Sequence, residues 1–149
     1  MKRLVLDTSV VVEYIVLRSP YRAKVVMLFE RASTGELELY VNTVTLSEVL
    51  YVSSRIYQVA GVDDPNREAL DFVEWVKSRA HVVGVDEGIA VRAGELKKRL
   101  RIALPDCLVI ATAEAVKAVP IFKKPEEEMK PVMSSLRQLG VKFLEEIQV

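Results

Sequence analysis

Arg3-Leu4-Val5-Leu6-Asp7-Thr8-Ser9-Val10-Val11-Val12 is the stretch from which the rest of the chain is read. A short apolar run is stopped by an aspartate and two hydroxyls, and a new apolar run follows. That order predicts a core strand handing over to a helix. A carboxylate at the carboxyl end of a first strand stands where open α/β sheets bind their ligands. Asp7 has a plainer reading as the N-cap of the next helix. The choice depends on whether other acids arrive at the same edge.

Working outward, residues 8–17 read as a helix closed by Arg18-Ser19-Pro20, and residues 21–32 as a second. Leu37 to Val41 alternates like a strand and runs into a helix carrying Leu46, Val49, Leu50, Ser53, Ile56 and Tyr57 at helical spacing. Gly61 stops that helix, Asp63-Asp64-Pro65-Asn66 is a turn, and residues 67–79 form an amphipathic helix. Residues 81–85 are a third strand, again ended by an acid, Asp86. The helix at about 88–100 ends in Lys97-Lys98-Arg99-Leu100-Arg101. Leu104-Pro105-Asp106 then opens a nearly all-apolar helix from Cys107 to Val119 that must be buried on most sides. Residues 119–122 are a fourth strand, Lys123 to Glu128 begins a short helix that Pro131 should break or restart, and residues 141–144 are a last short strand. Alternating strands and helices imply a mainly parallel sheet wrapped in helices, whose crossovers bring strand ends of one sense to one edge.

The 149 residues fit one domain spanning 1–149, with a core that needs no metal or disulfide staple. Half the residues are apolar, which speaks against disorder. Together with a mean hydropathy of +0.18 it hints at a subunit or partner interface. Net charge is zero, so any polyanion site must rest on local charge. A lone cysteine, Cys107, excludes an internal disulfide and fits a reducing cytoplasm. No apolar stretch approaches a membrane span, and the immediate entry into a strand leaves no room for a signal peptide.

Three acids stand at helix starts: Asp7, Glu48 and Asp106. Each has a capping alternative. Thr45-Leu46-Ser47-Glu48 is a capping-box pattern, with Glu48 reaching back to the Thr45 amide, and Asp106 after Pro105 is a plausible N-cap. Taken together they point further. Asp106 is anchored to an apolar helix, and Asp7 and Glu48 follow neighbouring strands. Gathered carboxylates raise one another's pKa unless a cation neutralises them. Oxygen ligands without histidine suit Mg²⁺ or Mn²⁺ and not zinc. His81, the only histidine, begins a strand without a partner ligand.

These residues carry a family resemblance. Leu-Asp-Thr-Ser-Val at 6–10, Thr-Leu-Ser-Glu-Val at 45–49 and Leu-Pro-Asp-Cys-Leu-Val-Ile-Ala-Thr-Ala at 104–113 resemble the blocks of PIN-domain nucleases, most of all the single-domain VapC toxins. The resemblance implies a three-layer α/β/α sandwich on a central mainly parallel sheet. It also implies a Mg²⁺- or Mn²⁺-dependent endoribonuclease, often a homodimer and often held inactive by a small antitoxin. Asp7, Glu48 and Asp106 would be the catalytic and metal-binding acids, with Thr8 or Ser9 as a nearby hydroxyl contact. The family has a fourth acid just after its fourth strand, where this chain has Lys123 and Lys124. Glu126 could supply it from two residues on, although Pro-Glu-Glu-Glu is also an ordinary acidic helix start.

The expected chemistry is metal-assisted hydrolysis of an RNA phosphodiester. Lys97, Lys98, Arg99 and Arg101 complement a helix C-terminus, or else line the groove and hold the RNA backbone, as could Lys124. One alternative is an inactive or weakly active interaction protein on the same scaffold, motivated by the displaced fourth acid. Another is an RNA-processing PIN nuclease that is not a toxin. A haloacid-dehalogenase-type phosphatase wants a second aspartate where Ser9 stands, and a receiver domain wants an acidic pair near the first strand.

Overall fold

The computed structural model describes residues 2–148. Five strands form one sheet: Lys2–Leu6 (β1), Leu37–Asn42 (β2), His81–Val83 (β3), Val119–Phe122 (β4) and Lys142–Phe143 (β5). Their order is β3-β2-β1-β4-β5 and every pairing is parallel. Between the strands run Thr8–Val11 (α1), Arg22–Ser33 (α2), Thr43–Val59 (α3), Pro65–Arg79 (α4), Glu87–Leu100 (α5), Leu104–Val116 (α6) and Met133–Gln138 (α7).

The pleat of β1 shows how the layers arise. Leu4 and Leu6 point into a core with Val25, Leu28 and Phe29 of α2 and Phe72 and Val76 of α4. Val5, between them, points the other way, into a core with Leu96 of α5, Val109 and Ile110 of α6 and Leu136 of α7. In β4, Ile121 and Phe122 divide in the same manner. A strand buried on both faces reads as a continuous apolar run, and helices on both sides make the expected three-layer α/β/α sandwich. Each fully buried Leu, Ile or Val contributes about 1.5–3 kcal/mol, so both cores are needed.

Several elements differ in extent from the sequence reading. The helix expected over 8–17 is α1 followed by a 3₁₀ turn, Val12–Ile15. Its β-branched run, Val10 to Val12 with Ile15 and Val16, is a poor α-helix former. β3 stops at Val83 because its partner in register, Asn42, is the last residue of β2. β5 is short for the same reason, since Phe143 pairs with Phe122 at the end of β4. α6 starts at Leu104, which places Pro105 in the first turn, where a missing N–H costs nothing, and Asp106 inside the helix. Pro131 lies within a 3₁₀ segment, Glu127–Val132, and the chain resumes as α7 beyond it.

The chain winds from β1 outward through β2 and β3, then crosses back to β4 on the other side of β1. The seam between β1 and β4 is therefore the topological switch point, and its carboxyl edge is where such sheets bind ligands. The Asp7 amide donates to Ile121 O across that seam at 3.0 Å.

Candidate metal centre

Asp7 ends β1 and caps α1: its Oδ2 accepts from the Ser9 amide at 3.1 Å and the Ser9 hydroxyl at 2.6 Å. Capping and membership of an acidic site are thus not exclusive. The side chain is buried, and burial holds its pKa above the ordinary carboxylate value against those hydrogen bonds. Ser9 Oγ also accepts from the Lys123 amide at 3.2 Å, tying the start of α1 to the end of β4.

The α3 helix is seated by Asn42, which the sequence reading passed over. Asn42 Oδ1 accepts from the Thr45 amide at 2.8 Å, and its Nδ2 donates to Thr112 Oγ1 of α6 at 3.1 Å, both wholly buried. Asn42 is therefore the cap, and Thr45 lies one turn inside the helix. The capping box at Thr45–Glu48 does not form: Glu48 Oε1 accepts instead from Thr8 Oγ1 at 2.9 Å. Glu48 is half-buried, and burial, followed by the charges of Asp7 and Glu126, raises its pKa.

Asp106 occupies the first turn of α6, which Ala103 caps without a side-chain bond. It is only 5% exposed, and among the described residues its Oδ2 is the one buried side-chain oxygen or nitrogen without a hydrogen-bond partner. Burial first, then the charges of Asp7, Glu126, Glu128 and Glu48, push its pKa up to about 8. An orphaned buried carboxylate oxygen is costly, and one facing four more carboxylates more so.

Among the described residues, Asp106, Glu126 and Glu128 gather ligand oxygens, with one oxygen from each lying within 4.8 Å of the others. Glu126 is raised by burial and by Asp7 and Glu128, and Lys123 only partly offsets this. Glu128 was missed in the sequence. It sits in the 3₁₀ segment after Pro125, and its Oε1 accepts from the Ala103 amide at 2.9 Å, pinning that segment to the start of α6. Among the described residues, none of these five acids forms an ion pair with a lysine or arginine. Lys123, which follows β4, is engaged by buried Glu13 at 2.9 Å.

The basic residues have other surroundings. Lys97 Nζ donates to Ile102 O at 2.7 Å, closing the C-terminus of α5, and Lys98, Arg99, Arg101 and Lys124 are exposed. Thr8 and Ser9 are each bonded to a site carboxylate. His81 packs against the Tyr40 ring with centroids 4.9 Å apart, apart from the acids. An all-carboxylate donor set with a buried, unbonded oxygen fits a hard divalent cation of the Mg²⁺ or Mn²⁺ class.

A family model described as PIN domain matches residues 4–123. The chain belongs to the PIN domain family. No curated protein sequence matches it. Among solved structures, this PIN domain is similar in fold to a chain of VapBC2 from Rickettsia felis, bound to a DNA fragment from their promoter. The TM-score is 0.67 at 16% identity, covering 95% of this chain and 98% of that one. DNA-bound VapBC from Salmonella typhimurium gives a TM-score of 0.67 at 16% identity, covering 97% of this chain and 99% of that one. FitAcB from Neisseria gonorrhoeae gives 0.61 at 15% identity, covering 97% and 99%. At such identities the likeness is one of fold. The match to the family model ends at Lys123, so Glu126 and Glu128 lie beyond it.

Proposed function

We propose that this PIN domain is a metal-dependent endoribonuclease and the toxin of a toxin–antitoxin pair. The observation that carries the catalytic half is the Asp106 carboxylate, buried without a partner at the switch point among acids that no basic side chain neutralises. Asp7, Glu48 and Asp106 would hold Mg²⁺ or Mn²⁺. Bound there, the ion supplies charge neutralisation at the scissile phosphate and a water of lowered pKa. The chain's own residues do the positioning. Ser9 fixes the Asp7 carboxylate, the Thr8 hydroxyl aims Glu48 across from α1, and the apolar burial of α6 holds Asp106 rigidly. Lys98, Arg99, Arg101 and Lys124 are free to meet the RNA backbone, where each phosphate contact adds affinity that salt weakens.

The partner half is supported by the toxin–antitoxin neighbours and by an apolar groove of about 450 Å³ between the turn after α1 and the end of α3. Ile15, Leu17, Ile56, Tyr57 and Val62 line it, and Leu17 is 78% exposed. It suits the apolar face of an antitoxin helix. A homodimer and a cytoplasmic setting complete this reading. No helix among the described residues is long and apolar enough to cross a membrane.

The test is Asp7→Asn against a structured RNA with Mg²⁺ or Mn²⁺. Cleavage is abolished while the circular dichroism spectrum is kept. A variant that cuts as fast as the parent refutes the site. The displaced fourth acid, with Lys123 and Lys124 standing just after β4, favours one other reading, a PIN domain of weak or no activity that serves only as a binding partner. A parent that cleaves no RNA in either metal favours that reading.

A further inference from the structure

We infer that the Glu13–Lys123 ion pair is a clamp that holds the Ser9 hydroxyl on the Asp7 carboxylate, which makes both members positioning residues. Their catalytic consequence rests on the nuclease reading; the clamp itself rests on geometry. Lys123 is fastened at three points. Its amide donates to Ser9 Oγ at 3.2 Å, its carbonyl accepts from the Leu144 amide at 3.3 Å, and its Nζ is 2.9 Å from Glu13 Oε1. The ammonium also lies 5.8 Å from the centre of the Tyr21 ring. Glu13 stands one turn beyond Ser9, in the 3₁₀ turn Val12–Ile15. The main chain and the side chain of one residue therefore grip the start of the helical run at two places. A hydroxyl carries a single proton. With the Lys123 amide occupying a lone pair of Ser9 Oγ, that proton is directed to Asp7 Oδ2, where the bond is 2.6 Å.

α1 cannot hold this geometry by itself. It has four residues, two of them valine, and no helix so short is stable alone. Burial of Val10 and Val11 holds it down, but apolar burial has no direction. Direction comes from polar bonds, and α1 supplies one to each of two site acids: Thr8 to Glu48 at 2.9 Å and Ser9 to Asp7. A buried ion pair adds little net stability, because desolvation offsets the attraction. Glu13 is 7% exposed, and among the described residues Lys123 is the cation that pairs with it. What the pair specifies here is the placement of α1 against the end of β4.

The decisive variant of the full chain is Glu13→Gln with Lys123→Met, which leaves no charge stranded. Lys77→Met, which removes the exposed pair with Glu74 on α4, is the control. Hydrogen exchange of the Ser9 amide, which donates to Asp7 Oδ2, is measured without metal or RNA. Cleavage of a structured RNA in saturating Mn²⁺ gives kcat and KM. The double variant melts close to the parent, yet loses about tenfold in Ser9 protection and about tenfold or more in kcat, with KM unchanged. Lys77→Met changes none of these. A double variant with parental Ser9 protection overturns the clamp, whether or not the parent cleaves RNA. Lost protection with unchanged kcat overturns the positioning role. A raised KM with a shallower salt dependence and unchanged kcat also overturns it, because that pattern marks Lys123 as a phosphate contact. If the parent cleaves no RNA, the nuclease reading falls and Ser9 protection alone decides the clamp. If the double variant melts early, Glu13→Gln, which leaves only a lysine able to reach water, is read in its place.

Discussion

Asp106→Asn should make the metal-free protein more stable while removing its response to metal. The substitution keeps the volume of a side chain that is 5% exposed and deletes a charge that meets only other carboxylates. With Asp106 at about 8 against an ordinary 3.8, folding favours the protonated carboxyl over the whole interval between. Each pH unit in that interval costs about 1.4 kcal/mol, so the three units from about pH 4 to pH 7 set a ceiling of about 4 kcal/mol. Solvent screening of the exposed Glu126 and Glu128 brings the gain on neutralisation to about 2 kcal/mol. The sign follows from the direction of the shift. A carboxyl raised in the folded state contributes stability that is present at low pH and lost as pH rises toward 8. In EDTA at about pH 7.5 the variant therefore melts about 4–8 °C above the parent for a chain of this length. At about pH 3, below both values, both states carry the proton and the difference closes. Added Mn²⁺ reverses the order, raising the parent and leaving the variant where it was. Scanning calorimetry or circular dichroism melts at three pH values, with and without Mn²⁺, provide the check. A variant that melts at or below the parent in EDTA at neutral pH refutes the claim that this site carries uncompensated charge.

Lys123→Met strands the buried Glu13 carboxylate and should cost about 2–3 kcal/mol in urea denaturation. Adding Glu13→Gln should restore most of that, and an unchanged midpoint in the single variant would show the pair to be idle. Asn42→Ala removes the α3 cap and the bond to Thr112, at about 2 kcal/mol. Because Glu48 rides on α3, Mn²⁺ affinity falls with it, and hydrogen exchange of the Thr45 amide reports the lost cap directly.

The parallel sheet was legible because buried strands are written as short apolar runs, and Val5 and Leu6 need no alternation to be read. The acids at 7, 48 and 106 were legible because each sits at a junction between strand and helix or opens an apolar helix, where a charge is conspicuous. Asn42-Thr43-Val44-Thr45 offered two helix starts, and local pattern could not choose between them. The choice fell to Thr112, seventy residues on, which takes the other end of the Asn42 amide. Asn42 is among the strongest N-cap residues, so the signal was present and only its competitor hid it. Glu128 was not legible at all. In Glu126-Glu127-Glu128 nothing local says which carboxylate faces α6. That depends on the 3₁₀ geometry imposed by Pro125 and on a bond to Ala103 from a distant part of the chain.

The two outer strands bear on how copies of this chain can associate. β3 has three residues and β5 two, so neither offers a ladder long enough to recruit a neighbour's backbone. Self-association must then go through side chains on the helical layers, which leaves it open to disruption by single charged substitutions and spares the protein the route to fibres that long bare borders invite.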